Sequence, residues 1–153
     1  MPASAPIVDA DTAARLRVAI GRLSRRLRTT GAGVAIGLTP TKVSVLLSVV
    51  REGPVRLSEL AGDEALNPTM LSRVIAALVE LGLVARTNDD GDRRAAWVQA
   101  TPAGRRLAER MRRERTDALN VALEGLSPDD RRLLEQALPA LEGLADQLRD
   151  GRP

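Results

Sequence analysis

Aromatic side chains are almost missing from this chain, whose 153 residues include one Trp and neither Phe nor Tyr. A chain of this length can fold as one domain and bury a sizeable core. Because aromatic rings are scarce, that core has to be built from Leu, Val, Ile and Ala. Aliphatic side chains suit the packing of helix on helix, so the composition favours a mainly helical protein.

Cysteine and histidine are also absent. Their absence excludes disulfide bonds, thiol redox sensing, Cys or His nucleophiles and the common zinc sites, because the reacting groups are missing. Carboxylates remain as the acid–base groups available near neutral pH. No nucleophile or phosphate-cradling loop is visible in the sequence. We therefore expect no enzymatic activity, no cofactor and no metal site.

Positive charge comes almost entirely from arginine, since Lys42 is the only lysine and the formal net charge is +3. The planar guanidinium donates two hydrogen bonds at once and suits phosphate. An arginine-rich surface is an equally good explanation from composition alone. The arginines within residues 105–115 are expected to form a solvated helix face.

No apolar run approaches the roughly 18 residues that a membrane-spanning helix needs. The opening stretch MPASAPIV lacks the basic region and apolar segment of a signal peptide. We therefore expect a disordered lead over residues 1–8, no membrane association and a cytoplasmic location.

Helix starts are marked by a capping residue followed by proline, a combination that satisfies the first turn of a helix. The pairs are Thr39-Pro40, Asn67-Pro68, Thr101-Pro102 and Ser127-Pro128. Apolar residues at helical spacing follow each pair. A further helix is predicted over residues 11–31, with Asp11 or Thr12 as its cap and Gly31 as its stop. Ser58 is predicted to cap a short helix, and residues 31–37 are expected to be a glycine-rich gap.

Two short β-compatible segments, at residues 83–86 and 95–101, flank the loop NDDGDRR at residues 88–94 and predict a hairpin. The acidic residues of this loop do not fit a calcium site. Counted from Asn88, the sixth position is Arg93 and the twelfth is Gln99, where a calcium loop requires Gly and Glu.

Two helices joined by a tight turn and followed by a hairpin predict a winged helix-turn-helix, mainly α with a small β-hairpin wing. The second helix, residues 67–81, has dimensions that fit the DNA major groove. Its first turn offers backbone N–H groups and the positive end of the helix dipole to a phosphate. Met70 suits either an apolar contact with a thymine methyl or the core. The candidate DNA-binding residues are Asn67, Pro68, Thr69, Met70, Ser72 and Arg73 on the helix, and Arg93 and Arg94 at the hairpin tip.

Three stretches resemble the MarR family of bacterial transcription regulators. Residues 38–61, LTPTKVSVLLSVVREGPVRLSELA, resemble its second and third helices. Residues 67–84, NPTMLSRVIAALVELGLV, resemble its recognition helix and following strand, and residues 92–109, DRRAAWVQATPAGRRLAE, resemble its wing and fifth helix. The resemblance extends over about residues 11–148.

The resemblance implies a homodimer held by N- and C-terminal helices. It also implies binding of double-stranded DNA at a pseudo-palindromic operator, usually repression, and release by a small-molecule effector. One domain is implied over residues 9–150. Within it, the DNA-binding lobe spans about residues 38–101, and the dimerisation helices span about 9–31 and 102–149. Arg73 matches a DNA-contacting arginine of the recognition helix. Asp92 matches an aspartate that braces the wing, and Arg94, with Arg93 beside it, matches the wing arginine.

The sequence departs from the family pattern at two places. Glu64 and Ala65 stand where Leu-Gly is usual before the recognition helix, and Glu64 is expected either to weaken packing there or to point outward. Pro139 is expected to bend the last helix and so to alter the dimer. The alternative function is a winged-helix module that binds proteins and not DNA, but the three arginines at 73, 93 and 94 favour DNA.

Overall fold

The computed structural model describes residues 10–28, 31–88 and 96–150. Its elements, in chain order, are α1 (Ala10–Arg28), α2 (Gly31–Ala35), α3 (Pro40–Glu52), β1 (Val55–Arg56), α4 (Leu57–Asp63), α5 (Pro68–Glu80), β2 (Val84–Asn88), β3 (Ala96–Ala100), α6 (Pro102–Glu124) and α7 (Pro128–Asp150). The predicted fold class, mainly α with a small hairpin, is confirmed. The predicted disordered lead lies outside the described residues.

The predicted pairs of capping residue and proline begin four of the helices. The Thr39 hydroxyl accepts a hydrogen bond from the Lys42 amide at 3.4 Å, and the Thr101 hydroxyl accepts one from the Gly104 amide at 3.1 Å. The Ser127 hydroxyl accepts from the Asp130 amide at 3.1 Å. These bonds satisfy amides that have no partner inside the helix.

The expected glycine-rich gap at residues 31–37 is wrong, because its first five residues form α2. The carboxylate of Glu114, on α6, accepts a hydrogen bond from the Ala32 amide at 2.9 Å. Gly33 is buried, and a Cβ placed on it would lie 3.0 Å from the Met111 sulfur. Gly31 therefore begins a helix where a stop was predicted, and the stabilising contacts come from α6.

Two predicted helix caps are also wrong. Helix α4 begins at Leu57, with Arg56 at its N-cap and no side-chain hydrogen bond there, so Ser58 lies inside the helix. Helix α1 has already begun at Ala10, which places Asp11 in its first turn.

A three-stranded antiparallel sheet is formed in the order β1-β3-β2. The strand β1 was not predicted; it pairs with β3 through Val55↔Val98 and Arg56↔Trp97. The predicted hairpin is confirmed, with β2 running from Val84↔Ala100 to Asn88↔Ala96. Asn88 therefore belongs to a strand and not to the loop. The Arg56 guanidinium lies 5.2 Å from the centroid of the Trp97 ring, within range of a cation–π interaction.

The core is aliphatic, as the composition predicts. Its largest fully buried side chains include Leu46 of α3, Leu60 of α4 and Val98 of β3. Helix α5 contributes three more, which are Leu71, Ile75 and Leu78. Burial of each such side chain contributes about 1.5–3 kcal/mol of transfer free energy. The hydrophobic effect thus holds the helix-turn-helix against the sheet without an aromatic ring at its centre.

The end of α5 is joined to the start of α6 by two hydrogen bonds from one residue. The Thr101 hydroxyl donates to the Gly82 carbonyl at 2.6 Å, and the Thr101 amide donates to the Leu83 carbonyl at 3.0 Å. Gly82 has a φ of 67°, which glycine adopts without strain. Gly104 is buried, and a Cβ placed on it would overlap the Leu83 carbonyl oxygen.

The chain divides into two compact units between Arg115 and Thr116. The second unit contains the last part of α6 and all of α7. Pro139 lies inside α7, and the helix continues on both sides of it although proline has no N–H to donate. The exposed leucines of α7 are Leu133, Leu134, Leu138, Leu141, Leu144 and Leu148.

We predict that Gly104→Ala lowers the free energy of unfolding by roughly 1–3 kcal/mol, because the new methyl group must displace the Leu83 backbone. Urea denaturation followed by circular dichroism measures the change. Gly62→Ala is the matched control, since nothing lies within 4 Å of a Cβ placed there. This control should raise the stability by about 0.5–1 kcal/mol, as expected for alanine in a helix. Equal effects of the two substitutions would contradict the close contact at Gly104.

Candidate nucleic-acid interface

The start of α5 is fixed by Asn67. Its side-chain oxygen accepts a hydrogen bond from the Met70 amide at 2.8 Å, and its backbone is extended, with φ −68° and ψ 152°. Pro68 follows as the first helical residue and has no N–H that would need a partner. Asn67 was predicted as a DNA-binding residue, and in this structure its side-chain oxygen caps the helix.

Helix α5 has one buried and one exposed face. Leu71, Val74, Ile75 and Leu78 are buried in the core. The predicted site residues Thr69, Met70 and Arg73 lie on the exposed face, and Ser72 is half-buried at its edge. Met70 is 46% exposed, which decides the open question about this side chain in favour of the surface. The first two turns of this face therefore combine a hydroxyl, an apolar side chain and a cation, from Thr69, Met70 and Arg73 respectively.

The first turn of α5 offers fewer free amides than the sequence suggests. Pro68 has no N–H, the Met70 amide is bonded to Asn67, and the Leu71 amide donates to the Asn67 carbonyl at 3.0 Å. Among the described residues, none accepts a hydrogen bond from the Thr69 amide. An anion at this helix end would therefore meet the Thr69 amide and hydroxyl, together with the positive end of the helix dipole.

The turn that leads into α5 is attached to α3 by Glu64. Its carboxylate accepts hydrogen bonds from the Ser44 hydroxyl at 2.7 Å and the Ser48 hydroxyl at 2.5 Å. Ser48 is 5% exposed and is the polar side chain buried within the described core. The expectation that Glu64 weakens packing or points outward is wrong, because the two serines supply partners for its carboxylate. This contact was missed although Ser44 and Ser48 lie one helical turn apart on the same face of α3.

Ala65 completes this turn in a left-handed conformation, with φ 51°. This conformation costs a residue with a Cβ roughly 1–2 kcal/mol, and glycine avoids the cost. The family pattern, with glycine at this position, therefore agrees with the backbone geometry. The left-handed backbone of Ala65 destabilises this turn, whereas the hydrogen bonds accepted by the neighbouring Glu64 stabilise it.

The predicted wing residues Asp92, Arg93 and Arg94 lie outside the described residues. The strands on either side of them are described, and their pairing from Val84 to Asn88 brings the two ends of the loop together.

The arginines of α6 are only partly the solvated face that was expected. The Arg105 guanidinium donates to the Ala100 carbonyl at 2.7 Å and so fastens the end of β3. Arg113 forms an exposed ion pair with Glu109 at 3.2 Å. Arg106 and Arg110 are exposed, whereas Arg115 is half-buried.

Within the described ranges, no group of three or more acidic side chains is arranged to hold a metal ion. None of the helices in those ranges has the length and apolar character needed to cross a membrane.

Comparison with known proteins identifies this combination of elements. The model of the MarR family matches residues 38–96. An uncharacterized HTH-type transcriptional regulator of Mycobacterium bovis is 32% identical over 139 residues, which are 91% of this chain and 96% of that protein. The HTH-type transcriptional repressor MdtR of Bacillus subtilis is 31% identical over 68 residues, or 44% of each chain. The crystal structure of Streptococcus pneumoniae FabT in complex with DNA has the same fold, with a TM-score of 0.66 at 13% identity, and the match covers 89% of this chain and 99% of that one.

We predict that Asn67→Ala lowers the free energy of unfolding by about 1 kcal/mol, because the Met70 amide loses its acceptor. Thermal or urea denaturation measures the loss. Asn67→Asp keeps an oxygen in the same place and should retain nearly the full stability. A neutral Asn67→Ala substitution would mean that the side chain does not serve as the cap.

Proposed function

This chain belongs to the MarR family, and we propose on that premise that it is a homodimeric repressor of transcription that binds double-stranded DNA. The observation that carries the proposal is the exposed face of α5. A helix of 13 residues, buried on one side by four aliphatic side chains, presents its other side to solvent beside a β-hairpin. Such a helix fits the major groove, where it can reach base edges.

The chemistry of that face suits the two kinds of contact that a DNA-binding protein makes. Thr69 and Ser72 can donate hydrogen bonds to phosphates, which position the helix without reading the sequence. Arg73 can bond a guanine edge with two donors. The exposed Met70 offers an apolar contact to a thymine methyl group. We assign the recognition helix to these residues, with Asn67 and Pro68 fixing its first turn.

The wing completes the proposed interface. Arg93 and Arg94 follow the end of β2 by only a few residues and are proposed to enter the minor groove beside the recognition helix. Asp92 is proposed to pair with a neighbouring arginine and to brace the loop.

Homodimerisation is supported by the apolar side chains that the two ends of the chain expose. Val18, Ile20 and Leu23 on α1 are each more than 40% exposed, and so are four of the α7 leucines, Leu133, Leu134, Leu138 and Leu148. On each of these two helices, large apolar side chains left exposed to solvent are typical of an interaction site. We propose that residues 9–31 and 102–149 form the dimer interface, and that residues 38–101 form the DNA-binding lobe. A two-fold dimer would match a pseudo-palindromic operator with half-sites about one helical turn apart.

Repression is supported by the likeness to the B. subtilis repressor, and we propose that a small-molecule effector releases the DNA.

The regulators that this chain resembles are not enzymes, and we propose no catalytic activity for it. Its site of action would be the cytoplasm, where the bacterial DNA lies.

A winged-helix module that binds proteins is the competing function. A gel-shift experiment on the DNA upstream of its own gene, repeated over a series of salt concentrations, separates the two. A DNA-binding regulator should lose affinity steeply as salt rises, because phosphate contacts release counterions. Absence of any shift on intergenic DNA, together with a discrete protein partner in pull-down experiments, would favour the competing function.

We predict that Arg73→Ala weakens operator binding by roughly 1–3 kcal/mol and leaves the free energy of unfolding unchanged, because the side chain is exposed. Fluorescence anisotropy with labelled operator DNA measures the affinity. A base contact would relax specificity at one operator position, whereas a phosphate contact would reduce the salt slope by about one. Arg51→Ala is the control, since it removes the same charge from a side chain that is 65% exposed at the end of α3, outside the proposed dimer interface and the proposed DNA contacts. Equal losses of operator affinity in the two variants would mean that Arg73 contributes to binding only through its charge.

We predict that Leu138→Glu on α7 converts the dimer into a monomer with retained helicity, because a carboxylate replaces an exposed apolar side chain at the proposed interface. Sedimentation velocity measures the oligomeric state. Gln136→Glu adds the same charge to an already polar position of the same helix and should remain dimeric. A wild-type monomer, or a dimeric Leu138→Glu variant, would rule out this interface.

A further inference from the structure

The turn between α4 and α5 consists of Glu64, Ala65, Leu66 and Asn67. The backbone amides of the first three residues donate to carbonyls of residues 60–62, at 3.0 Å, 3.2 Å and 3.0 Å respectively. The fourth residue, Asn67, caps α5. Backbone hydrogen bonds thus attach the turn to α4, and its attachment to α3 depends on side chains.

Glu64 supplies a directional attachment to α3. Its half-buried carboxylate accepts hydrogen bonds from the Ser44 hydroxyl at 2.7 Å and the Ser48 hydroxyl at 2.5 Å. Both distances are typical of a hydroxyl that donates to a charged carboxylate, about 2.5–2.7 Å. The Arg51 guanidinium lies 3.5 Å from the Ser48 oxygen, but its close partner is Glu52, at 2.6 Å. Two strong donors on one helix therefore converge on a single carboxylate in the turn.

The turn requires such support because Ala65 is left-handed, with a φ of 51°. This conformation is unfavourable for a residue that has a Cβ, and it persists only where the surroundings hold it. A right-handed backbone at Ala65 would redirect the chain two residues before Asn67, where α5 begins. The hydrogen bonds of Glu64 therefore oppose a relaxation that would change the direction of α5.

Apolar packing cannot replace these hydrogen bonds. Helix α5 is packed through four aliphatic side chains, and the hydrophobic effect has no preferred direction. Contact with base edges requires the side chains of a binding site to be held within about 0.5 Å. Hydrogen bonds from a neighbouring helix have the directionality that this requirement demands.

We propose that Glu64, Ser44 and Ser48 are positioning residues for DNA binding. They touch no DNA themselves. Their two hydrogen bonds keep Ala65 left-handed and so fix the angle at which α5 presents Arg73 to the major groove. This inference rests on the proposed function, since its readout is operator affinity, and it adds to the recognition helix three residues that lie outside it.

The sign of the effect of Glu64→Ala separates positioning from charge. Removal of a carboxylate from a protein that binds a polyanion should raise the affinity if charge alone matters. Positioning predicts the opposite, a loss of about fivefold to tenfold in affinity for labelled DNA from upstream of its own gene. Fluorescence anisotropy at constant salt measures the affinity.

Glu59→Ala is the matched control, since Glu59 is an exposed carboxylate on the neighbouring helix α4. It removes the same charge and should not weaken binding. Equal changes of affinity in Glu64→Ala and Glu59→Ala would overturn the proposal.

Ser44→Ala is a milder test, because Ser44 is exposed and one donor to Glu64 remains. Affinity should fall by about twofold to threefold, with the circular dichroism spectrum unchanged. Ser44→Thr keeps the hydroxyl and should bind like the wild type. Wild-type affinity in Ser44→Ala would overturn the role of Ser44.

Ala65→Gly tests whether Glu64 acts through the left-handed turn. Glycine adopts this conformation without strain, so the turn should keep its shape without the hydrogen bonds of Glu64. In the Ala65→Gly background, Glu64→Ala should therefore cost less than about twofold in affinity. An equal loss in both backgrounds would contradict the coupling through Ala65.

All affinities are measured at a temperature at which circular dichroism shows each variant to be folded. If Glu64 served only stability, Glu64→Ala would leave the affinity of the folded protein unchanged, and that result would remove this inference alone. Wild-type protein that binds no intergenic DNA would instead remove the proposed function.

Discussion

Two backbone carbonyl groups just after α5 connect this helix, through hydrogen bonds, to the junction between β3 and α6. The Gly82 and Leu83 carbonyls accept hydrogen bonds from the hydroxyl and the amide of Thr101. The last carbonyls of α5 have no partner within the helix and accept hydrogen bonds from the amides of residues 81–83. Thr101 then satisfies the carbonyls of Gly82 and Leu83. That residue also ends the hairpin and begins α6. The direction of α5, the register of β2 and β3 and the start of α6 are therefore set at one junction, where only glycine fits at position 104.

Elements whose signals are local could be predicted from the sequence. A capping side chain and a proline act within one helical turn, and the pairs at Thr39, Asn67, Thr101 and Ser127 each precede a helix in the structure. Elements that depend on distant partners could not be predicted. The strand β1 has two residues and exists through its pairing with β3. Helix α2 is stabilised by Glu114, which lies 82 residues further along the chain.

In the candidate site, too, the features with local sequence signals could be predicted, and those that depend on distant partners could not. Helical periodicity is enough to place Thr69 and Arg73 opposite the buried face, because a residue's position around a helix follows from its number. The periodicity does not reveal what a side chain contacts. Asn67 could be a cap, a DNA contact or both, and Glu64 had no visible partner until α3 placed Ser44 and Ser48 against it. The wing residues Asp92, Arg93 and Arg94 stay predictions from the family pattern.

The scarcity of aromatic residues has a spectroscopic consequence. Trp97 is the only fluorophore of the chain, since tyrosine and phenylalanine are absent. It is half-buried on β3, directly opposite Thr87 of β2 and Arg56 of β1, whose guanidinium lies over its ring. The intrinsic emission of the whole protein therefore originates from the middle of the three-stranded sheet at the base of the wing. Changes in that emission report on this sheet without any label and without tyrosine background.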